Sequence, residues 1–119
     1  MLFRSETTDG TGSKISNMPT NLVVEAITLE TLFNMYDVPK TIDYMSLDIE
    51  GYEYEALEKF PFNKYICSLI TVEHNLYCNG DKNKNKIKDL LLNNNYKIIK
   101  ENVTSENLPF EDWYAYDYN

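Results

Sequence analysis

Asp43-Tyr44-Met45-Ser46-Leu47-Asp48-Ile49-Glu50-Gly51-Tyr52-Glu53-Tyr54-Glu55-Ala56-Leu57 reads as a short β-strand that runs into acidic residues and a Gly, then turns at once into a helix. In open α/β sheets the ligand crevice lies outside the carboxyl ends of the strands. Carboxylates at such an end are therefore candidates for chemistry as well as for capping. Gly51 allows a turn without a Cβ penalty, and the start of the following helix favours nearby acidic groups.

The same alternation extends to both sides of this stretch. Leu22–Ile27 is apolar and β-branched, as strands are. Thr28 suits an N-cap, and Leu29, Leu32, Phe33 and Tyr36 repeat at helical spacing before Pro39. Ile42–Ile49 forms the next strand, and Tyr52–Lys59 a helix stopped by Pro61. Ile66–Glu73 is a nearly continuous apolar run, the pattern of a strand covered on both faces. Beyond a loop at Gly80, Ile87 and Leu90–Leu92 belong to a helix that ends near Asn93–Asn95. Tyr96–Val103 and Trp113–Tyr118 read as two shorter strands separated by Pro109. The expected fold is α/β, mainly parallel, with an antiparallel edge strand at the C-terminal end.

Residues 1–21 are rich in Ser, Thr, Gly and Asn and read as a loop-rich N-terminal segment. Gly10-Thr11-Gly12-Ser13-Lys14 lacks the spacing of a phosphate-binding loop and is expected to be a plain loop. A chain of 119 residues is one domain by length, and its apolar fraction of 43% is that of a globular protein. It has no apolar run long enough for a membrane span and no signal-peptide core, so a cytoplasmic setting is expected. The net charge of -8 argues against a nucleic-acid partner, which needs a basic surface. The Lys/Asn run Asp81–Lys88 reads as a solvated helix start. Cys67 and Cys78 form no metal-binding pattern and read as buried spectators.

Right-handed crossovers would make the two central strands parallel neighbours. Asp48 and Glu50, placed on one face by strand alternation, would then meet Glu73-His74-Asn75 at one rim. His74 is the only side chain there with an ordinary pKa near neutrality and is the candidate base, although neighbouring carboxylates would favour its imidazolium form. Asp48 and Glu50 are candidate catalytic or positioning groups. Glu73, Asn75 and Tyr52 are candidate acceptor-binding groups. Glu53, Glu55 and Glu58 read as a solvated helix face, and Trp113 as a packed edge residue. No metal ligand set is assigned, but the acidic rim leaves a metal-assisted hydrolase as a competing reading.

Ile27-Thr28-Leu29-Glu30-Thr31-Leu32-Phe33 followed by Ile42-Asp43-Tyr44-Met45-Ser46-Leu47-Asp48-Ile49-Glu50-Gly51-Tyr52-Glu53 resembles the FkbM family of methyltransferases, which shows T-L-D-x-L and then I-D-x-[LM]-K-[IL]-D-[VI]-E-G-x-E. Val72-Glu73-His74-Asn75, Asn94-Asn95-Tyr96-Lys97-Ile98-Ile99 and Glu111-Asp112-Trp113-Tyr114 extend the likeness. The resemblance implies a partial class I (Rossmann-like) methyltransferase sheet that uses S-adenosylmethionine to methylate a hydroxyl of a sugar or secondary metabolite. It places Asp48 and Glu50 at the fourth strand of that fold and Glu73-His74-Asn75 at the fifth. Ser46 stands where the family has Lys, and Asn94 or Asn95 where it has Gly. The family's first strand, its Gly-rich turn and its ribose-binding acid have no counterpart here. Residues 22–119 are therefore expected to be the C-terminal half of such a domain. The partners this implies are a small-molecule acceptor and a second copy or complementing chain on the open sheet edge. The alternative is a non-catalytic interaction module.

Overall fold

The computed structural model describes residues 26–119. Residues 1–21 and the expected strand Leu22–Ile27 up to Glu25 lie outside the described residues, and Ala26 and Ile27 are in no strand. The elements are α1 (Leu29–Met35), β1 (Thr41–Leu47), α2 (Glu53–Glu58), β2 (Ile66–Glu73), α3 (Leu76–Asn79), α4 (Lys82–Leu92), β3 (Tyr96–Ser105) and β4 (Leu108–Tyr116). Among these residues no helix is long and apolar enough to cross a membrane.

Thr28 caps α1 as its residue type predicts, its hydroxyl accepting from the Thr31 N–H at 3.1 Å. Leu29 and Phe33 point into the core, where Phe33 meets Tyr65 with ring centroids 5.0 Å apart. Tyr36 does not continue that stripe. The helix stops at Met35 and Asp37 turns left-handed (φ 51°), which leaves the Tyr36 ring exposed.

The four strands form one mixed sheet in the order β1-β2-β4-β3. β1 and β2 are parallel neighbours, with Tyr44 opposite Leu69 and Leu47 opposite Val72. β4 runs antiparallel to both β2 and β3. This corrects the expectation of a mainly parallel sheet with an antiparallel edge: the antiparallel strand is interior, and β3 is the edge. The reason is the tight hairpin at Glu106-Asn107, where both residues have positive φ (52° and 65°), the backbone of a two-residue turn matched to strand twist. It folds β4 back along β3 and into the place beside β2. Pro109 does not separate the strands but lies within β4, opposite Thr104. Pairing with β2 begins only at Glu111, so the missing N–H of Pro109 breaks no ladder there.

The core joins Ala56 and Leu57 of α2, Ile87 and Leu91 of α4, Ile70 and Val72 of β2, and Tyr114 of β4, all nearly inaccessible to solvent. Burying each of the larger aliphatic side chains contributes about 1.5–3 kcal/mol. Cys67 is buried and its thiol is pushed up to about 11 by desolvation; Cys78, expected to be buried, is exposed on α3. Both are free.

Candidate active site

β1 ends at Leu47, and the next residues form a turn in which Glu50 (φ 56°) and Gly51 (φ 103°) are left-handed. For Glu this is an uncommon conformation, and something must hold it. Glu53 does so: its carboxylate accepts from the Ile49 N–H at 2.7 Å and from the Gly51 N–H at 3.1 Å. Glu53 is 1% exposed, which corrects its reading as part of a solvated face. Desolvation raises its pKa, helped by the charge of Asp48 and opposed by the backbone N–H groups. The sequence did hold a signal, since Glu53 is the last residue of the quoted E-G-x-E. Strand alternation stops applying at Leu47, so Asp48 and Glu50 do not share a strand face, and Glu50 is exposed.

Across the parallel pair, β2 ends at Glu73. Asp48, Glu53 and Glu73 each place a carboxylate oxygen within 4.8 Å of the other two, a spacing that would suit one hard divalent cation. Glu73 is pushed up to about 8, first by desolvation, then by its hydrogen bond to Asp48 and the Asp48 charge. The Asn75 amide donates to Glu73 Oε1 and opposes that rise. Glu111 of β4 stands directly opposite Glu73 in the ladder, a further acid beside the group. A cleft of about 320 Å³ opens from here, lined by Glu73, Asn75 and Tyr77 and by Ser105, Glu106, Leu108 and Phe110 of the hairpin.

His74 takes no part in this cleft. It is 3% exposed; its Nδ1 accepts from the Leu76 N–H at 3.0 Å, so its Nε2 carries the proton and donates to Asp112 Oδ1 at 3.1 Å. No ring lone pair is left for an acceptor hydroxyl. Asp112 also accepts from the Asn102 N–H at 2.7 Å and pairs with Lys84 at 3.2 Å, and Lys84 reaches Glu101 at 2.7 Å. Burial by itself would raise the Asp112 pKa, but the His74, Asn102 and Lys84 contacts outweigh it and hold it below the usual carboxylate range. Lys84 is buried in this network, which corrects the solvated reading of the Lys run. Tyr52 is half-buried at the start of α2 and does not line the cleft. Trp113 lies inside the sheet, its Nε1 donating to Glu111 at 2.7 Å.

An α/β sheet with an acidic rim at the carboxyl ends of adjacent parallel strands defines the class. The methyltransferase FkbM domain model matches residues 2–98, and the chain belongs to that family. Methyltransferase activity in general is what the family carries. No curated protein and no solved structure matches the chain.

Proposed function

We propose that residues 22–119 are the acceptor-side half of a class I, Rossmann-like methyltransferase domain that uses S-adenosylmethionine to methylate a hydroxyl of a sugar or secondary metabolite, in a cytoplasmic setting. The observation that carries this is the pairing of Asp48 with Glu73 at the ends of two adjacent parallel strands, beside a cleft. When bound, the cofactor supplies an electrophilic methyl on a sulfonium. The acidic rim suits its positive charges; a Gly-rich strand-turn-helix for its nucleoside does not occur among the described residues, so no cofactor-binding residue is assigned.

Glu73 is the group placed to take the acceptor's hydroxyl proton, because a carboxylate raised toward neutrality is a stronger base than an ordinary one. Asp48 raises it and Asn75 orients it. Glu53 holds the turn that presents Asp48 and Glu50, with Tyr52 beside it at the mouth of α2. His74 is a positioning residue, fixing the backbone between Glu73 and α3 through Asp112 and Leu76.

The test is methyl transfer from isotopically labelled S-adenosylmethionine to a panel of sugars and hydroxylated metabolites. Wild type should give labelled product and Glu73→Gln about 10²-fold less or lower. A folded wild-type chain that neither binds the cofactor nor transfers label would end this reading. The non-catalytic interaction module would then stand, supported by the outer edge of β1, which pairs with no strand among the described residues. The three converging carboxylates favour the hydrolase as a further reading, and a melting temperature unmoved by Mg²⁺ or Mn²⁺ would remove it.

A further inference from the structure

The cleft beside Glu73 is acidic. Glu73 and Glu106 both line it, and no Lys or Arg of the described residues does. The groups around Glu73 from the neighbouring elements are Asp48 after β1, Glu53 of α2 and Glu111 of β4, all acidic. Several lysines among the described residues are engaged elsewhere: Lys84 and Lys88 on Glu101, Lys64 on Glu30, Lys100 over the Trp113 ring at 5.1 Å. The rest of the lining mixes apolar and polar groups, with Tyr77 and Leu108 about half exposed, Phe110 beside them, and Asn75 and Ser105. An anion entering this cleft would meet two acidic side chains and no Lys or Arg of the described residues. A cation would meet both carboxylates and an aromatic ring, whose face attracts positive charge. The volume of about 320 Å³ is at the small end of ligand sites, enough for one ring or a short amine.

We propose that this cleft selects a small molecule bearing a positively charged nitrogen, so that the methyl acceptor carries an ammonium group beside the hydroxyl that is methylated. The identification of that molecule as the acceptor rests on the methyl-transfer reading; the selection for a cation does not.

The experiment is a calorimetric titration of the whole chain, without cofactor, with three probes. Choline carries a fixed positive charge, 3,3-dimethylbutan-1-ol is its neutral isostere, and glucose 6-phosphate is an anion. At pH 8.5 and low salt, choline should bind about tenfold more tightly than the isostere, and glucose 6-phosphate should not bind. Glu106→Gln and Glu73→Gln should each weaken choline several-fold, Glu106→Gln with an unchanged thermal melt. Equal binding of choline and its isostere, binding of glucose 6-phosphate, or no binding of choline overturns the proposal. Transfer to neutral sugars by a chain that ignores choline would overturn this inference alone. Choline binding by a chain that transfers nothing would overturn the methyl-transfer reading alone.

Discussion

Two pairs of adjacent residues, Glu73 with His74 and Glu111 with Asp112, divide between two regions that handle acid in opposite ways. Glu73 and Glu111 stand opposite each other at the rim, with Asp48 and Glu53 close by and no cation of the described residues paired with them. His74 and Asp112 face the other side of the sheet, where Lys84, Glu101 and the Asn102 N–H complete a closed network. One residue of strand register separates the two regions, because successive side chains point to opposite faces. The network ties the end of β2 to α4, β3 and β4. The rim answers its crowding by a raised Glu73 pKa, with no Lys or Arg of the described residues among its groups.

The contrast breaks most visibly at Asp112. Asp112→Ala leaves Lys84 and the His74 Nε2–H without their buried acceptor and should cost about 3–5 kcal/mol in urea unfolding, with the Asn102 N–H stranded as well. Glu53→Ala removes the acceptor of two backbone N–H groups in a left-handed turn and should cost about 1–3 kcal/mol by the same measurement.

Titration sharpens the comparison because the two regions have opposite signs. Asp112 is held below its ordinary 3.8, so its stabilisation is present above that pH and is lost as pH falls through the lowered value. Glu73 is raised from 4.5 to about 8, so the native state binds the extra proton between those values. Its favourable contribution is complete below 4.5 and is lost as pH rises through about 8. Glu73→Gln should therefore flatten the alkaline limb of a melting-temperature profile and raise the melting temperature at pH 9. Asp112→Asn should flatten only the acid limb. The smallest effect is chemical: iodoacetamide should label exposed Cys78 in the native chain and leave Cys67 unlabelled until unfolding, with little change in stability.

Much of this was legible in the residues. Ile66–Glu73 is found as a strand over the predicted span, Thr28 caps its helix, and β1 and β2 are parallel neighbours. These follow from local composition and from the crossover rule, which need no knowledge of the rest of the chain. The interior place of β4 was not legible, because strand order depends on which distant edge the last hairpin meets. The burial of Glu53 and Lys84 was hidden for a related reason. A charged residue is read as solvated unless its partners are known, and those partners are a turn's backbone in one case and a carboxylate 28 positions away in the other. His74 looked like a rim base from its neighbours in sequence, and a single step of alternation sent it to the opposite face.

The interior position of β4 also sets an order of assembly. Leu108–Tyr116 follows the other three described strands in sequence, yet it is the piece that joins β2 to β3. During synthesis, β1 and β2 can pair as soon as they emerge, but β3 has no place on the sheet until Leu108–Tyr116 is made. The unsealed β2 edge is exposed for that interval, as an invitation to wrong partners. Loss of Leu108–Tyr116 would cut the sheet through its middle, leaving a parallel pair and a stray strand in place of a shortened but intact domain.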